Sequence, residues 1–276
     1  PVLGSVTDPK LVDFLLKTHG VDTVYHAAAY KHVPLVEANP FVAVTNNVLG
    51  TATLLNSAIA NRCESFTLIS TDKAVRPTNV MGATKRLAEL ICQAAANEPS
   101  KMKISIVRFG NVLGSSGSVI PTFREQIRCG GPITITHPDI TRFFMTIPEA
   151  SNLVLQAGEM ANGGDVFILD MGEQIEILEL AKRLINLKGY NYTFQEEDPG
   201  IMIVETGLRS GEKLYEELLI SGTEMGTSNT KIFKSIEPST DKSIIKHADA
   251  IQEHILNNDI NSCMKILTEN VQGFNR

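Results

Sequence analysis

An acidic and a basic residue, Asp72 and Lys73, stand side by side directly after an apolar segment of the sequence. A carboxyl and an amine in such a position can take up and return protons, because burial and mutual proximity shift their pKa values towards neutrality. An Asp-Lys dipeptide alone is more often a surface ion pair. Its position at the end of a strand, ahead of a loop with Pro77 and a further helix, favours acid–base chemistry.

A second pair, Met81 and Lys85, lies four positions apart in the helix that follows. This spacing puts both side chains on one face of the helix. In nucleotide-sugar-modifying relatives among the short-chain dehydrogenases, the same spacing holds Tyr and Lys, and the Lys cation lowers the pKa of the phenol. Met81 can neither give nor take a proton.

Apolar strand-like segments alternate with helix-length segments along the first half of the chain. Strands are predicted at 2–6, 21–26, 65–70 and 103–108, and helices at 40–61 and 79–96. Continuous apolar strands separated by helices are typical of a parallel sheet covered on both faces. We therefore predict an α/β fold with a doubly wound, Rossmann-like parallel sheet. Ligands bind such sheets at the carboxyl ends of the strands, where both residue pairs are placed.

The pattern loosens beyond Gly130 and predicts a smaller α/β region. Its predicted strands are 133–135, 166–169 and 201–204, its helices are 148–160, 175–187, 241–257 and 260–268, and a loop is predicted at 222–228. An approximate boundary at Gly130 separates a cofactor-binding type of domain, residues 1–130, from this smaller region. Residues 131–276 are expected to be mainly substrate-binding.

The composition limits the classes of partner. The chain has 276 residues, 43% of them hydrophobic, and its 25 Lys and Arg against 31 Asp and Glu give a net charge of −6. This length and apolar content predict a globular protein with a sizeable core. The negative charge argues against nucleic-acid binding, which needs a basic surface. The four cysteines form no C-x-x-C pair, so no metal site is predicted.

The segment 70–86, STDKAVRPTNVMGATKR, resembles the active-site segment of bacterial UDP-N-acetylglucosamine 4,6-dehydratases. It is most similar to the large branch of these extended short-chain dehydrogenases/reductases, which makes precursors for capsule, O-antigen and protein glycans and has Met in place of Tyr. Further matches, which extend the resemblance from the first residues to roughly residue 235, are HAAAYKHVP at 26–34, NVLGT at 47–51, RFGNVLGS at 108–115 and GLRSGEK at 207–213.

The resemblance implies an NAD-dependent dehydration. In these enzymes bound NAD takes a hydride from sugar C4, water leaves across C5 and C6, and the hydride returns to C6. By the family pattern, Lys73 is the base at C5 and Asp72 the acid at the C6 hydroxyl, with Thr71 as a hydrogen-bonding neighbour. Because Met81 replaces Tyr, the C4 hydroxyl proton goes either to a water relay or to Asp72 acting a second time.

The same resemblance implies the binding residues. Lys85 is expected to hold the nicotinamide ribose, and further cofactor contacts are expected from Asp8, Ala27, Ala28, Ala29 and Asn47. A helix N-cap accounts equally well for Asp8, and simple packing for Ala29. Substrate contacts are expected from Lys31, Asn111, Arg142, Arg209 and Glu212, with the two arginines on the diphosphate and Glu212 on a ribose hydroxyl.

Two features of this family are absent from the sequence: a Gly-x-x-Gly-x-x-Gly turn before Val2 and a transmembrane region. By the resemblance, residues 1–130 are expected to form an NAD-binding Rossmann-like domain that lacks its first βαβ part. A truncated form of a longer protein and a degenerate domain without NAD would both explain this, and the intact Asp72, Lys73 and Lys85 favour truncation. We further expect a homo-oligomer in the cytoplasm that takes a UDP-sugar substrate. No membrane contact is expected from this chain itself, although the full-length form could be anchored on the cytoplasmic face of the inner membrane.

Two other functions remain open from the sequence. A UDP-sugar 4-epimerase shares the fold and cofactor, but it would need Tyr at position 81 and has no use for the Asp72–Lys73 pair. A non-catalytic nucleotide-sugar-binding module would explain the missing glycine turn, but not the retained acid–base residues.

Overall fold

The computed structural model of the protein describes residues 1–98, 101–218, 224–238 and 240–275. The helices are α1 (Pro9–His19), α2 (Val33–Ala38), α3 (Pro40–Ala43), α4 (Gly50–Ala60), α5 (Val80–Ala96), α6 (Val119–Arg128), α7 (Ile147–Glu159), α8 (Ile177–Leu187), α9 (Ser243–Leu256) and α10 (Ile260–Asn270). The strands are β1 (Thr23–His26), β2 (Ser65–Ile69), β3 (Lys103–Arg108), β4 (Asn111–Val112), β5 (Ile133–Ile135), β6 (Thr141–Arg142), β7 (Phe144–Met145), β8 (Asp165–Leu169), β9 (Ile175–Glu176), β10 (Tyr192–Thr193), β11 (Ile201–Glu205), β12 (Glu224–Gly226) and β13 (Ile232–Ser235). Among these residues, no helix has both the length and the apolar character needed to cross a bilayer.

The chain divides into two compact units. The first comprises residues 1–109, 152–170 and 217–276, and the second comprises 110–151 and 171–216. The units divide the chain at positions other than residue 130, because β8, β13 and the last two helices return to the first unit. The assignment of residues 1–130 to NAD binding and 131–276 to substrate binding concerns function and stays a prediction.

The first unit is built on a mixed sheet whose strand order, within the described residues, is β1-β2-β3-β8-β13-β12. The first four strands run parallel, whereas β13 and β12 are antiparallel to their neighbours. The central strands β2, β3 and β8 are buried along nearly their whole length. This is the covered parallel sheet that the apolar runs predict, so the predicted α/β fold class is confirmed.

Two predicted elements of the first unit are wrong. Residues 2–6 form no strand: within the described part of the chain, β1 pairs with β2 alone, and an extended apolar segment without a ladder partner is not a strand. In the predicted loop at 222–228, Gly222 and Thr223 lie outside the described residues, and Glu224–Gly226 forms β12 against β13. Its three residues are all exposed, so no burial pattern marks it in the sequence.

The predicted helix at 40–61 is interrupted. It consists of α3, a π-helical turn over Val44–Leu49, and α4. The wider turn carries Asn47, which is 1% exposed and whose Oδ1 accepts from Tyr30 N at 2.7 Å. Its Nδ2 donates to Tyr30 O at 3.0 Å and to Thr84 Oγ1 at 3.0 Å. The π turn therefore ties the segment after β1 to helix α5, a local distortion of the kind often found near functional sites.

The second unit has a core of its own. Its strands form a parallel set in the order β10-β11-β5, the parallel pair β4-β7 and the antiparallel pair β6-β9. Helices α6 and α8 contribute Phe123, Ile127, Ala181 and Ile185 to the apolar cluster that covers these strands. The predicted smaller α/β region is thus present as a compact unit.

A buried histidine links β1 to the π turn. His26 is 2% exposed, and its Nε2 lies 2.9 Å from Thr51 Oγ1. Thr51 Oγ1 in turn donates its single hydrogen to Asn47 O at 2.7 Å, so the imidazole Nε2 must donate to the hydroxyl oxygen. Burial, followed by the nearby Lys85 charge, lowers the pKa of His26 to about 4, which keeps the ring neutral at physiological pH.

His26 is expected to make the folded chain sensitive to mild acid. Because its pKa is 6.5 when unperturbed and about 4 when folded, the folded state binds fewer protons between these values, and the free energy of unfolding falls as the pH drops. Urea unfolding should show this group costing about 2 kcal/mol between pH 7 and pH 5. His26→Gln should lose this part of the pH dependence and His19→Gln, at an exposed site, should keep it. Equal pH slopes in the two variants would contradict the assignment.

Candidate active site

The predicted acid–base pair lies just beyond the end of β2. Ser70 N donates to Val107 O at 2.7 Å and Asp72 N to Phe109 O at 3.1 Å, so the ladder with β3 continues past the strand itself. The backbone then closes into a 3-10 turn over Asp72–Ala74. This pairing fixes the position of Asp72 at the carboxyl end of a central strand, where ligands of doubly wound sheets bind.

Asp72 is fully buried, and one of its oxygens receives two hydrogen bonds. Thr71 Oγ1 donates to Oδ1 at 2.8 Å, and Lys73 Nζ donates to the same oxygen at 3.0 Å. Within the described residues, the other oxygen, Oδ2, is buried without a hydrogen-bond partner. The Lys73 side chain is 17% exposed. Thr71, Asp72 and Lys73 are thus brought together as predicted, with a carboxylate oxygen left over for another group.

The first turn of α5 packs very closely on this pair. A Cβ at Gly82 would lie 2.2 Å from Lys73 O, so only glycine permits the approach. Two side chains fix the start of the helix: Asn79 Oδ1 accepts from Gly82 N at 2.8 Å, and the Glu37 carboxylate accepts from Val80 N at 2.6 Å. The helix therefore holds the backbone of the acid–base pair from one side.

Met81 and Lys85 face inwards one turn apart on α5, as their spacing predicts. They are 3% and 4% exposed, and Lys85 Nζ donates to Ile69 O at 2.7 Å. Burial lowers the pKa of Lys85 to about 8, against an opposing effect of Glu89. An ammonium is therefore held at the end of β2, with the thioether of Met81 in the position that Tyr takes in the resembled enzymes.

The predicted cofactor residues fall into two groups. Ala27 and Ala28 are exposed directly after β1 and Ala29 is partly buried, so a surface without bulky side chains lies open there. Asn47 and Asp8 are occupied by the protein itself: Asn47 holds Tyr30 and Thr84, and Asp8 caps α1 by accepting from Lys10 N and Leu11 N. The N-cap interpretation of Asp8 therefore accounts for its contacts, and cofactor contacts by all five residues stay predictions.

The predicted substrate residues lie around a cavity of about 240 Å³ in the second unit, with one exception. Asn111, Arg142, Arg209 and Glu212 line it. Lys31 instead lies exposed in the first unit, beside a separate cavity of about 270 Å³ next to Tyr30 and Leu35. The substrate roles of all five residues stay predictions.

Arg142 is firmly held in this cavity. Its Nη1 donates to Thr141 O at 2.8 Å and to Leu214 O at 3.3 Å, and its Nη2 lies 3.3 Å from Glu212 Oε1. Its Nε lies 3.9 Å from the buried Glu216 carboxylate. Arg142 is therefore fixed by carboxylates and carbonyls rather than extended towards solvent.

The rest of the cavity offers both donors and apolar surface. Arg209 is exposed, and its backbone N donates to Glu212 Oε2 at 3.1 Å. The first turn of α6 lines the cavity at Val119, and the Ser118 side chain at its N-cap accepts none of its N–H groups. Unpaired N–H groups at a helix N-terminus favour anions. Phe123 and Phe144 supply apolar walls.

A buried charge cluster is not among the features predicted from the sequence. Glu89 and Arg108 are both 0% exposed and form a bidentate pair, with Nε–Oε1 at 2.8 Å and Nη2–Oε2 at 2.6 Å. Two signals were available: a charged residue closes the apolar strand at 103–108, and Glu89 follows Lys85 by four positions on the inner face of α5. Neither signal identifies the partner, because the pairing depends on how α5 packs on β3.

Comparison with known proteins places the chain in a family. Residues 1–237, which include the acid–base pair and the cavity residues, match the family described as polysaccharide biosynthesis protein. The chain belongs to that family. The capsular polysaccharide biosynthesis protein CapD of Staphylococcus aureus is 50% identical over 260 residues, covering 94% of this chain and 42% of CapD. The probable polysaccharide biosynthesis protein EpsC of Bacillus subtilis is 54% identical over 217 residues, covering 79% and 35%. The chain thus spans less than half the length of these two curated relatives of the polysaccharide biosynthesis family.

Solved structures agree with the fold of this family member. Pen from Bacillus thuringiensis has 34% sequence identity and a TM-score of 0.77, covering 87% of this chain and 74% of Pen. The dTDP-glucose 4,6-dehydratase DesIV of Streptomyces venezuelae, solved with NAD and DAU bound, has a TM-score of 0.67 at 22% identity, covering 78% and 69%. The latter likeness concerns the Rossmann-like fold of short-chain dehydrogenases/reductases alone.

Relatives of this chain also include proteins named for a defined reaction. The UDP-glucose 4-epimerase of Rickettsia canadensis is 41% identical over 221 residues, covering 79% of this chain and 61% of that protein. The relatives of this chain therefore include proteins named for polysaccharide biosynthesis and proteins named for epimerisation of a UDP-sugar.

Gly82 gives a direct test of the packing beneath the acid–base pair. Gly82→Ala should displace Lys73 or the first turn of α5, since the added Cβ would lie 2.2 Å from Lys73 O. We expect a loss of roughly 1–3 kcal/mol of unfolding free energy in chemical denaturation. Gly226→Ala is the matched control, because its Cβ would meet nothing within 4 Å. A Gly82→Ala protein as stable as the wild type would show that this close approach is not needed.

Proposed function

We propose that the protein containing this chain is an NAD-dependent lyase that dehydrates UDP-N-acetylglucosamine to its 4-keto-6-deoxy derivative for polysaccharide or glycan biosynthesis. The observation that carries the proposal is the buried Asp72–Lys73 pair, with Oδ2 of Asp72 unpartnered among the described residues and a thioether at Met81. An elimination needs a base and an acid close together, and this pair supplies both.

The residues fit the nicotinamide end of a dinucleotide. Lys85 presents a buried ammonium at the end of β2, where it would hold the nicotinamide ribose, and the exposed Ala27 and Ala28 leave room for close approach. NAD, when bound, would supply the hydride acceptor and donor. The side chains of this chain would carry out the proton transfers at the sugar.

Two residues, Asp72 and Lys73, are enough to carry every proton that the dehydration moves. Asp72, starting as a carboxylate, takes the C4 hydroxyl proton and passes it to the departing C6 hydroxyl, which leaves as water. Lys73, once the ammonium of the resting ion pair has given its proton to solvent, takes the C5 proton as a neutral amine and returns it to C5 after C6 has been reduced. Both groups then have their starting protonation state. Midway through this cycle Asp72 would be a carboxylate and Lys73 an ammonium, and the 3.0 Å between Lys73 Nζ and Asp72 Oδ1 lets them form an ion pair at that point. We propose Asp72 acting twice rather than a water relay, because this balance needs no further group.

The uridine diphosphate part of the substrate fits the cavity of the second unit. Arg142, Arg209 and the N-terminus of α6 provide cationic or N–H donors, and apolar side chains line the remainder. Glu212 is placed to accept from a ribose hydroxyl once it exchanges its present partners, Thr136 Oγ1 at 3.2 Å and Arg142 at 3.3 Å. This arrangement supports a nucleoside diphosphate sugar as the substrate class.

Epimerisation of a UDP-sugar at C4 is the second candidate, because relatives such as the Rickettsia canadensis protein are named UDP-glucose 4-epimerase. Only the C4 hydroxyl proton has to move in that reaction, so Asp72 would suffice and Lys73 would have no part.

The predicted homo-oligomer, the cytoplasmic location and the anchoring of a full-length form also remain proposals.

The reaction is tested on the full-length protein with UDP-N-acetylglucosamine and mass spectrometry. We expect a product lighter by one water, whereas a product of unchanged mass would favour epimerisation. Asp72→Asn and Lys73→Met should each lower turnover by roughly 100-fold or more while UDP-sugar binding persists. Lys213→Met, which changes a lysine of the second unit outside the acid–base pair, is the control. Wild-type turnover in Lys73→Met would refute its role as the base.

Arg209 offers a separate test of the diphosphate site. Because it is exposed, Arg209→Met should leave the fold intact and weaken UDP binding about 10-fold, the scale of one lost charge-assisted hydrogen bond. Isothermal titration calorimetry of the full-length protein with UDP measures this. Arg124→Met, an exposed arginine of α6 outside the cavity lining, should bind UDP as the wild type does. Equal affinities of the two variants for UDP would show that the diphosphate binds at another site.

A further inference from the structure

The buried charge cluster around Glu89 has no part in the proton transfers or in the cavity of the second unit. It consists of Arg86 and Glu89 on α5, Arg108 at the end of β3, and Glu237 after β13. Glu89 and Arg108 are fully buried, and the side chains of Arg86 and Glu237 are 13% and 7% exposed. Burying charges is costly unless each one is paired, and even paired buried charges add little to stability. The stability of the fold alone therefore does not account for this cluster.

The four groups neutralise one another. Besides the bidentate pair with Arg108, Glu89 Oε2 accepts from Arg86 Nη1 at 2.8 Å. Glu237 closes the ring: its Oε2 accepts from Arg86 Nη1 at 2.8 Å and its Oε1 lies 2.6 Å from Arg108 Nη1. Two cations and two anions give no net charge. Of the two carboxylates, Glu89 stands one helical turn from Lys85 on the same face of α5.

Lys85 is the fifth charge in this interior, and the cluster leaves it without a compensating anion other than Glu89. The ionisable groups around it are Glu89 and Cys92 on its own helix, His26 on β1, Arg108 on β3, and the paired Asp72 and Lys73 on the turn that packs against α5. His26 is neutral at physiological pH, and Asp72 already has the Lys73 ammonium at 3.0 Å. The carboxylate of Glu89 is thus the group suited to stabilise the Lys85 cation.

We propose that Glu89 is a positioning residue that keeps the buried Lys85 side chain charged and directed at the end of β2, with Arg108 and Arg86 fixing the Glu89 carboxylate in place. The inference rests on the proposed function in one respect: a charged Lys85 matters for turnover because it would hold the nicotinamide ribose. Replacing Glu89 by a neutral side chain would leave the cluster with a net positive charge next to Lys85. The ammonium would then lose its proton at a lower pH.

Competitive labelling of the full-length protein with acetic anhydride tests this without relying on turnover. The extent of Lys85 acetylation is measured by mass spectrometry between pH 6 and pH 10. In the wild type we expect a midpoint near the Lys85 pKa of about 8. In Glu89→Gln the midpoint should fall by about one pH unit or more, and the alkaline limb of the turnover profile should move by the same amount. Glu89→Asp, which keeps the charge, should restore both.

Glu237→Gln is the matched control, since it removes the same charge from the same cluster at a residue bonded to the two arginines and to the neutral Gln93. Its midpoint should stay near that of the wild type even if the protein is less stable. An unchanged midpoint in Glu89→Gln, or an equal fall in Glu237→Gln, would overturn the proposal. Should Glu89→Gln not fold, Arg86→Met takes its place, with an expected rise in the midpoint; no rise would count against the proposal. An enzyme without dehydratase activity would refute the proposed function and leave the labelling result to decide on Glu89.

Discussion

The bidentate ion pair between Glu89 and Arg108 fixes helix α5 against strand β3, and most of the candidate active site depends on that contact. Two parallel hydrogen bonds between planar groups allow little sliding or rotation of the helix. Buried ion pairs of this kind add little net stability. The contact matters because it fixes the position and rotation of α5 on β3. The rotation of α5 that satisfies Glu89 also turns Met81 and Lys85 inwards and brings Gly82 onto the backbone of Lys73.

The acid–base pair is held from two sides by backbone rather than by flexible side chains. Hydrogen bonds from Ser70 N and Asp72 N to the chain after β3 fix one side, and the glycine of α5 fixes the other. A carboxylate in such a frame can present a single oxygen, Oδ2, while Oδ1 is saturated by Thr71 and Lys73. Preorganisation of this kind removes the need to order the catalytic groups during the reaction.

Much of the first unit could be predicted from the sequence because its strands are buried and its helices have clear caps. The bounds of β3 agree with the prediction at both ends, and those of α5 differ by one residue, where Asn79 forms the N-cap. What failed depends on tertiary partners: residues 2–6 lack a strand to pair with, and the exposed β12 forms only because β13 lies beside it. The π turn at Asn47 and the Glu89–Arg108 pair likewise arise from packing between elements distant in sequence, which no local periodicity records.

The replacement of a catalytic Tyr by Met81 narrows the chemistry when it is considered with Lys73. A buried thioether carries no proton, so proton transfer near Lys85 falls to Asp72 and Lys73. For epimerisation one proton carrier is enough. A lysine held next to a buried carboxylate would then cost desolvation free energy and take no part in the reaction. For dehydration two carriers are required, one for the hydroxyl protons and one for the carbon acid at C5. The pair is therefore better matched to the proposed elimination than to epimerisation, even though relatives such as the Rickettsia canadensis protein are named UDP-glucose 4-epimerase.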